Sequence, residues 1–315
     1  MPAISASAPG KVILFGEHAV VYGQPAIAVP LTQVFAKATI TPGIGAPNAE
    51  IRIQAPDIGL DARLDDLPAN QALAAAVRAT LEALGVTQAP AFTLRVNSTI
   101  PVAGGLGSGA AVSVAIIRAV SAFLGHPLTD ETVSALAFEV EKLHHGTPSG
   151  IDNTVVTYAK PVFFIKDQAI ETFQTLSPFT LVIADTGVSS PTKATVGDVR
   201  LGWQSEPEKF EAIFGAIGSI AKQARFLIEA GDLDELGPLM DQNHALLQSL
   251  GVSSPKLDAL CQAARAAGAI GAKLSGGGRG GNMVALVQAG EAQTVASALN
   301  AAGAVGTIIT QVGGS

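Results

Sequence analysis

The chain has 315 residues, of which 48% are hydrophobic and 14% charged, and a net charge of −7. That length and composition call for two packed domains and exclude a disordered chain, while the acidic balance without a basic run argues against nucleic acid or an anionic membrane as partner. Charges, prolines and glycines cut every apolar run short of a membrane span, and Met1–Gly10 lacks the positive charge of a signal peptide, so a cytoplasmic protein is expected.

The first apolar strand, Val12 to Phe15, lies within Ala8 to Gly23, a segment that also carries Lys11, Glu17 and His18. Ionisable groups in an apolar context demand partners. A surface lysine and a charged turn would be the bland reading; charges at the end of an apolar strand more often face a cleft, which favours a functional one. Val34–Ile40 and Ile51–Ile53 read as strands, Gln71–Leu84 as a helix and Phe92–Val96 as a strand.

Next comes the most informative stretch, Pro101 to Ala111. Gly104, Gly105, Gly107 and Gly109 fall within six residues and lead directly into an apolar helix from Ala110 to Leu124. Such a loop presents backbone N–H groups and the positive end of a helix dipole, which suits a phosphate. Gly105-x-Gly107-x-x-Ala110 also satisfies the dinucleotide pattern, a weak signal by itself. A Rossmann unit needs a strand directly before the loop and another after the helix. Here irregular Asn97–Pro101 precedes and a second helix follows, so a nicotinamide oxidoreductase is the runner-up from a different class. No Walker-type loop occurs.

That second helix runs from about Asp130 to His145, and Glu141 lies at the margin of its inward face. Position alone leaves a solvated rim residue and a metal ligand equally open. Asp152 follows a Pro/Gly turn, either as a rigidly held functional group or as a turn cap. Thr154–Tyr158 and Pro161–Ile165 read as a strand pair. The five histidines form no zinc spacing.

The second half reads as strand Thr180–Ala184, helices over Pro207–Leu250 and Pro255–Ala267, strands Gly271–Ser275 and Met283–Val287, helix Glu291–Ala302 and strand Thr307–Gln311. This is the split βαβ order of a ferredoxin-like sandwich. The boundary is placed near 170, giving domains 1–170 and 171–315. Cys261, the only cysteine, excludes an intramolecular disulfide and reads as a small core residue. Lys273 to Asn282 carries five glycines in six positions, more than a hairpin turn needs, as when backbone approaches a ligand closely.

Pro9–Gly23, Pro101–Ala111 and Lys273–Asn282, together with His145–Asn153 and Asp185-Thr186-Gly187, resemble the GHMP kinases in order and along nearly the whole chain. The resemblance implies an α+β fold of two domains, the first like domain 2 of ribosomal protein S5 and the second ferredoxin-like. It implies ATP bound at Pro101, Gly104, Gly105, Leu106, Gly107, Ser108, Gly109 and Ala110, with Ser275, Gly276, Gly277 and Gly278 near the phosphates. It further implies Mg²⁺ shared between Ser108 and Glu141, Asp152 paired catalytically with Lys11, and Glu17, His18 and Thr192 near the acceptor. The form of Gly16–Gly23 points to the primary hydroxyl of mevalonate as acceptor, giving 5-phosphomevalonate for isoprenoid synthesis. The resemblance also allows a homodimer. Phosphomevalonate, homoserine or sugar kinases, and a mevalonate-phosphate decarboxylase, are the alternatives within the superfamily. Two departures stand out: Gly109 replaces a second serine, commonly the metal ligand, and Gly277 and Asn282 replace the usual alanine and Cys or Ser.

Overall fold

The computed structural model describes residues 3–43, 50–101, 105–145, 148–189 and 192–313, with backbone alone described at 144, 145, 192 and 193. Two long strands, β1 (Ile4–Phe15) and β2 (Ala26–Pro42), pair with each other and contribute to both of the compact units into which the chain divides. The first unit takes the chain up to Gly10, from Val34 to Pro101 and from Leu106 to Ala159; the second takes Lys11–Gln33, Gly105 and the chain from Lys160 onward. The chain passes from the first unit to the second at 159/160, and residues 11–33 also belong to the second unit.

In the first unit, β3 (Ile51–Ala55), β4 (Leu60–Arg63) and β5 (Phe92–Ser98) extend β2 in the order β4-β3-β5-β2. Only β3 and β5 run parallel. Register places Ile40, Leu94 and Ile53 side by side, each fully buried. Four helices accompany these strands: α1 (Ala72–Ala83), α2 (Ser108–Phe123), α3 (Asp130–His145) and α4 (Ile151–Tyr158). The Gln71 side chain caps α1 by accepting from Ala74 N–H at 2.8 Å. Helix α2 is buried nearly all round, which explains its lack of a polar face. Its one charge, Arg118, donates to Asp130 (2.6 Å) and to the Thr157 carbonyl (2.7 Å).

Helix α4 corrects the strand expected over Thr154–Tyr158. β-Branched Thr154, Val155, Val156 and Thr157 favour a strand by propensity, and a short apolar run does not distinguish the two. Packing against α2 and α3 decides for the helix, and Thr154 Oγ1 donates to the Gly150 carbonyl at 2.8 Å. In this unit no parallel strand follows α2; α3 does, and the sheet is largely antiparallel. The Rossmann alternative falls on that topology.

In the second unit, β6 (Val162–Phe164) and β7 (Glu171–Thr172) extend from the start of β2. A separate sheet comprises β8 (Phe179–Asp185), β9 (Gly271–Ser275), β10 (Asn282–Val287) and β11 (Gly306–Val312), in the order β11-β8-β10-β9, all antiparallel. This is the split βαβ arrangement expected from sequence. Between β8 and β9 lie α5 (Thr192–Ser205), α6 (Pro207–Ala230), α7 (Leu236–Ser249) and α8 (Pro255–Ala266); α9 (Ala292–Ala301) precedes β11. Helix α5 was not anticipated, and the helical span 207–250 breaks at Gly231, the left-handed cap of α6.

Strand β9 is a sheet edge, and α7 covers it. Asp241 accepts from Ala272 N–H at 3.0 Å and His244 Nδ1 from Leu274 N–H at 3.2 Å, so edge donors are paired with side chains. That approach needs glycine on both sides: a Cβ on Gly271 would lie 2.2 Å from the Gly237 carbonyl oxygen. Among the described residues no helix is long and apolar enough to cross a membrane.

Candidate active site

The first unit carries the phosphate-binding recipe. Gly107, in the left-handed region at φ 75°, caps α2, and Ser108, Gly109 and Ala110 form its first turn. Ala111 N–H closes the first helical bond to the Gly107 carbonyl at 3.0 Å. The N–H groups before it point out of the helix end, where an anion is favoured. Leu106 is buried, Pro101 is half-buried and Gly105 has φ 69°. Gly104 lies outside the described residues.

Glu141 on α3 is buried and faces this turn: a Cβ added to Gly109 would sit 3.3 Å from Glu141 Oε1. The rim reading of Glu141 does not survive that placement. A carboxylate beside the hydroxyl-bearing first turn offers hard oxygen donors, the chemistry that suits Mg²⁺. The residues present therefore fit the ion, with Gly109 contributing room and no donor.

Asp152 lies in the first turn of α4, after Gly150 at φ 87°. Its neighbours anchor that turn. Ile151 is buried, and buried Asn153 donates to the carbonyl and hydroxyl oxygens of Ser134 at 3.1 and 2.8 Å. A half-exposed carboxylate is thus carried on a fixed backbone. Lys11, buried on β1, belongs to the second unit.

Within the second unit the segment after β1 makes a tight turn. Ala19 N–H donates to the Glu17 carbonyl at 2.6 Å, with His18 between them at φ 60°, ψ −47°. This is a γ-turn of the rare strained hand, a conformation costing on the order of 1–3 kcal/mol. Two groups of contacts hold it. His18 Nε2 lies 3.0 Å from the Gly277 carbonyl, which requires that nitrogen to carry the proton. Burial lowers the His18 pKa to about 4, so at neutral pH the ring is uncharged and Nδ1 carries a lone pair.

The second group is buried more deeply. Lys273 Nζ donates to Glu17 Oε1 and, at 2.7 Å, to the Leu274 carbonyl; Asn243 Nδ2 donates to Glu17 Oε2 at 3.2 Å. Lys273 and Glu17 side chains have 0% exposure. Burial pushes the Lys273 pKa below its ordinary value, and the Glu17 carboxylate opposes that. Sequence reasoning noted Lys273 only as the start of a glycine motif and missed Asn243. A lysine amid the apolar residues of β9 was the available signal, since such a charge requires a buried partner.

The glycine loop after β9 is pinned along its length. Ser275 Oγ donates to the Ile13 carbonyl (2.7 Å), Arg279 N–H to the Val252 carbonyl (2.7 Å), and Thr186 Oγ1 to the Gly281 carbonyl (2.8 Å). Gly278 is obligatory: its φ is 75° and a Cβ would lie 2.0 Å from the Val252 carbonyl oxygen. Cys261 is buried and its thiol pushed up to about 12, in keeping with the core role read from sequence. Thr192 begins α5, and its side chain lies outside the described residues.

The family model for the GHMP kinases N terminal domain matches residues 71–160, and that for the GHMP kinases C terminal domain matches 224–305. The mevalonate kinase of Thermococcus sibiricus is 38% identical over an alignment covering 98% of this chain and 96% of the relative. The chain belongs to the GHMP kinases. Among solved GHMP structures, mevalonate kinase from L. major in complex with R-mevalonate superposes with a TM-score of 0.85 at 31% identity, covering 99% of this chain and 96% of the other. The Methanococcus jannaschii mevalonate kinase gives 0.84 at 27%, covering 98% of each. The α+β, two-domain GHMP kinase fold anticipated from the motifs is the fold observed.

Proposed function

We propose that the protein is an ATP-dependent kinase that phosphorylates the primary hydroxyl of mevalonate, giving 5-phosphomevalonate and ADP. Similarity to mevalonate kinases along 98% of the chain is the observation that carries the acceptor assignment. In this reading the amides of Gly107–Ala110 and the α2 dipole hold the phosphates. Ser108 and Glu141 would hold Mg²⁺, which would supply positive charge against the phosphates. The hydroxyl oxygen of the acceptor attacks the γ-phosphorus, the bond to the β–γ bridging oxygen breaks, and the hydroxyl proton passes to the Asp152 carboxylate. Phosphoryl transfer has a loose transition state, so positioning and charge stabilisation outweigh a strong base. Asp152 orients the hydroxyl and Lys11 offsets negative charge as the phosphoryl group moves. His18, neutral and with Nδ1 able to accept, and Thr192 contribute to the acceptor side. Glu17, with both oxygens engaged inside the second unit, acts there through the turn it holds.

A coupled ADP-release assay across mevalonate, phosphomevalonate, homoserine and galactose tests the assignment. Mevalonate is expected to exceed the others in kcat/KM by at least about 100-fold, a margin well below the roughly 10⁴-fold that a site hydrogen-bonding its substrate can supply. Preferred turnover of any other acceptor would reject it.

A further inference from the structure

The strained turn at His18 has two supports, and one of them, the Lys273–Glu17 pair, is fully buried. Lys273 and Ser275 alternate with Ala272 and Leu274 along β9. Ala272 and Leu274 face the apolar core between sheet and helices, whereas Lys273 and Ser275 reach back to Glu17 and to the Ile13 carbonyl. One strand thus grips the segment on both sides of the Gly16 turn, and the glycine loop that continues from that strand supplies the Gly277 carbonyl to the His18 ring. Asn243 donates to the second oxygen of Glu17, so each carboxylate oxygen has a partner within the second unit and the side chain is fully buried.

We propose that Lys273 is a positioning residue for the acceptor: by holding Glu17, together with Asn243, it keeps the His18 turn in its strained form and aims the imidazole. The inference rests on the reading of His18 as an acceptor-side residue. Ion-pair removal from one side only would strand a buried charge, so the pair is neutralised together in the double variant Lys273→Met/Glu17→Gln, a change that buried ion pairs commonly tolerate. The variant is expected to retain its melting temperature within a few degrees. Its KM for mevalonate should rise about tenfold, with KM for ATP and kcat within about threefold, a split that general loosening of the fold would not produce.

Nitrogen-15 NMR of the His18 ring reads the same positioning without turnover. The protonated Nε2 signal expected in the wild type should be lost or averaged in the double variant. An unchanged acceptor KM together with an unchanged ring signal in the folded variant overturns the proposal. Should wild-type protein not turn over mevalonate, the functional reading fails, and the ring signal alone then decides whether Lys273 positions His18. If the double variant does not fold, Asn243→Ala carries the test: a three- to fivefold rise in acceptor KM with altered ring signal supports the proposal, and neither change overturns it.

Discussion

His18 combines an unfavourable backbone with a buried imidazole, and the second property gives it a pH signature. Its pKa is about 4 in the native protein against an ordinary 6.5. Between those values the unfolded chain binds a proton that the native chain refuses, so stability falls as pH drops through this window. The full shift corresponds to about 3 kcal/mol, lost by pH 4. Burial also lowers His244, which adds to the slope in the same direction. Urea unfolding at pH 7.5 and pH 5 should show the loss in the wild type and a flatter dependence in His18→Gln. Equal slopes in the two proteins would contradict the assignment. Glu141 makes a separate prediction, since it faces the room left by Gly109. Glu141→Gln should raise the Mg²⁺ concentration for half-maximal activity at least tenfold, measured with ATP held saturating. An unchanged requirement would remove Glu141 from the ion's binding set.

Strand β9 concentrates the constraints of the second unit. It is edged by α7, crossed at Gly237 and Gly271 with no space for a methyl group, and charged in its middle by Lys273. Gly271→Ala forces backbone apart and should cost about 3 kcal/mol or more in chemical denaturation. Lys273→Met alone leaves the Glu17 carboxylate buried without its cation and should cost about 3–5 kcal/mol. These contacts explain which elements sequence reveals. The order of β8 to β11 and the glycine loops follow from periodicity and turn chemistry, which act over neighbouring residues. The Thr154–Tyr158 helix was read as a strand because local β-branching points one way and packing by α2 and α3 the other. Helix α5 escaped notice because Gly197, Gly202 and scattered polar residues leave it little periodic signal.

For the molecule as a whole, the candidate site is read from the glycine motifs because their chemistry is written in consecutive residues. Ser108, Glu141 and Asp152 are proposed for that reason, each within or beside a motif. Asn243 and the partner of Lys273 were not legible, since contacts across more than 200 positions leave no mark on spacing. The structure distributes the expected groups over both units: the α2 turn, Glu141 and Asp152 in the first, Lys11, the His18 turn and the glycine loop after β9 in the second. The proposed reaction depends on an alcohol aimed by Asp152 at a triphosphate held by the α2 amides, both of the first unit. Steady-state phosphorylation of mevalonate by Asp152→Asn tests this most directly, because the substitution keeps the shape and removes the charge. A fall in kcat of on the order of 10²–10³, with KM for ATP and the melting temperature little changed, is the predicted result. Near-normal kcat in the folded variant would contradict it.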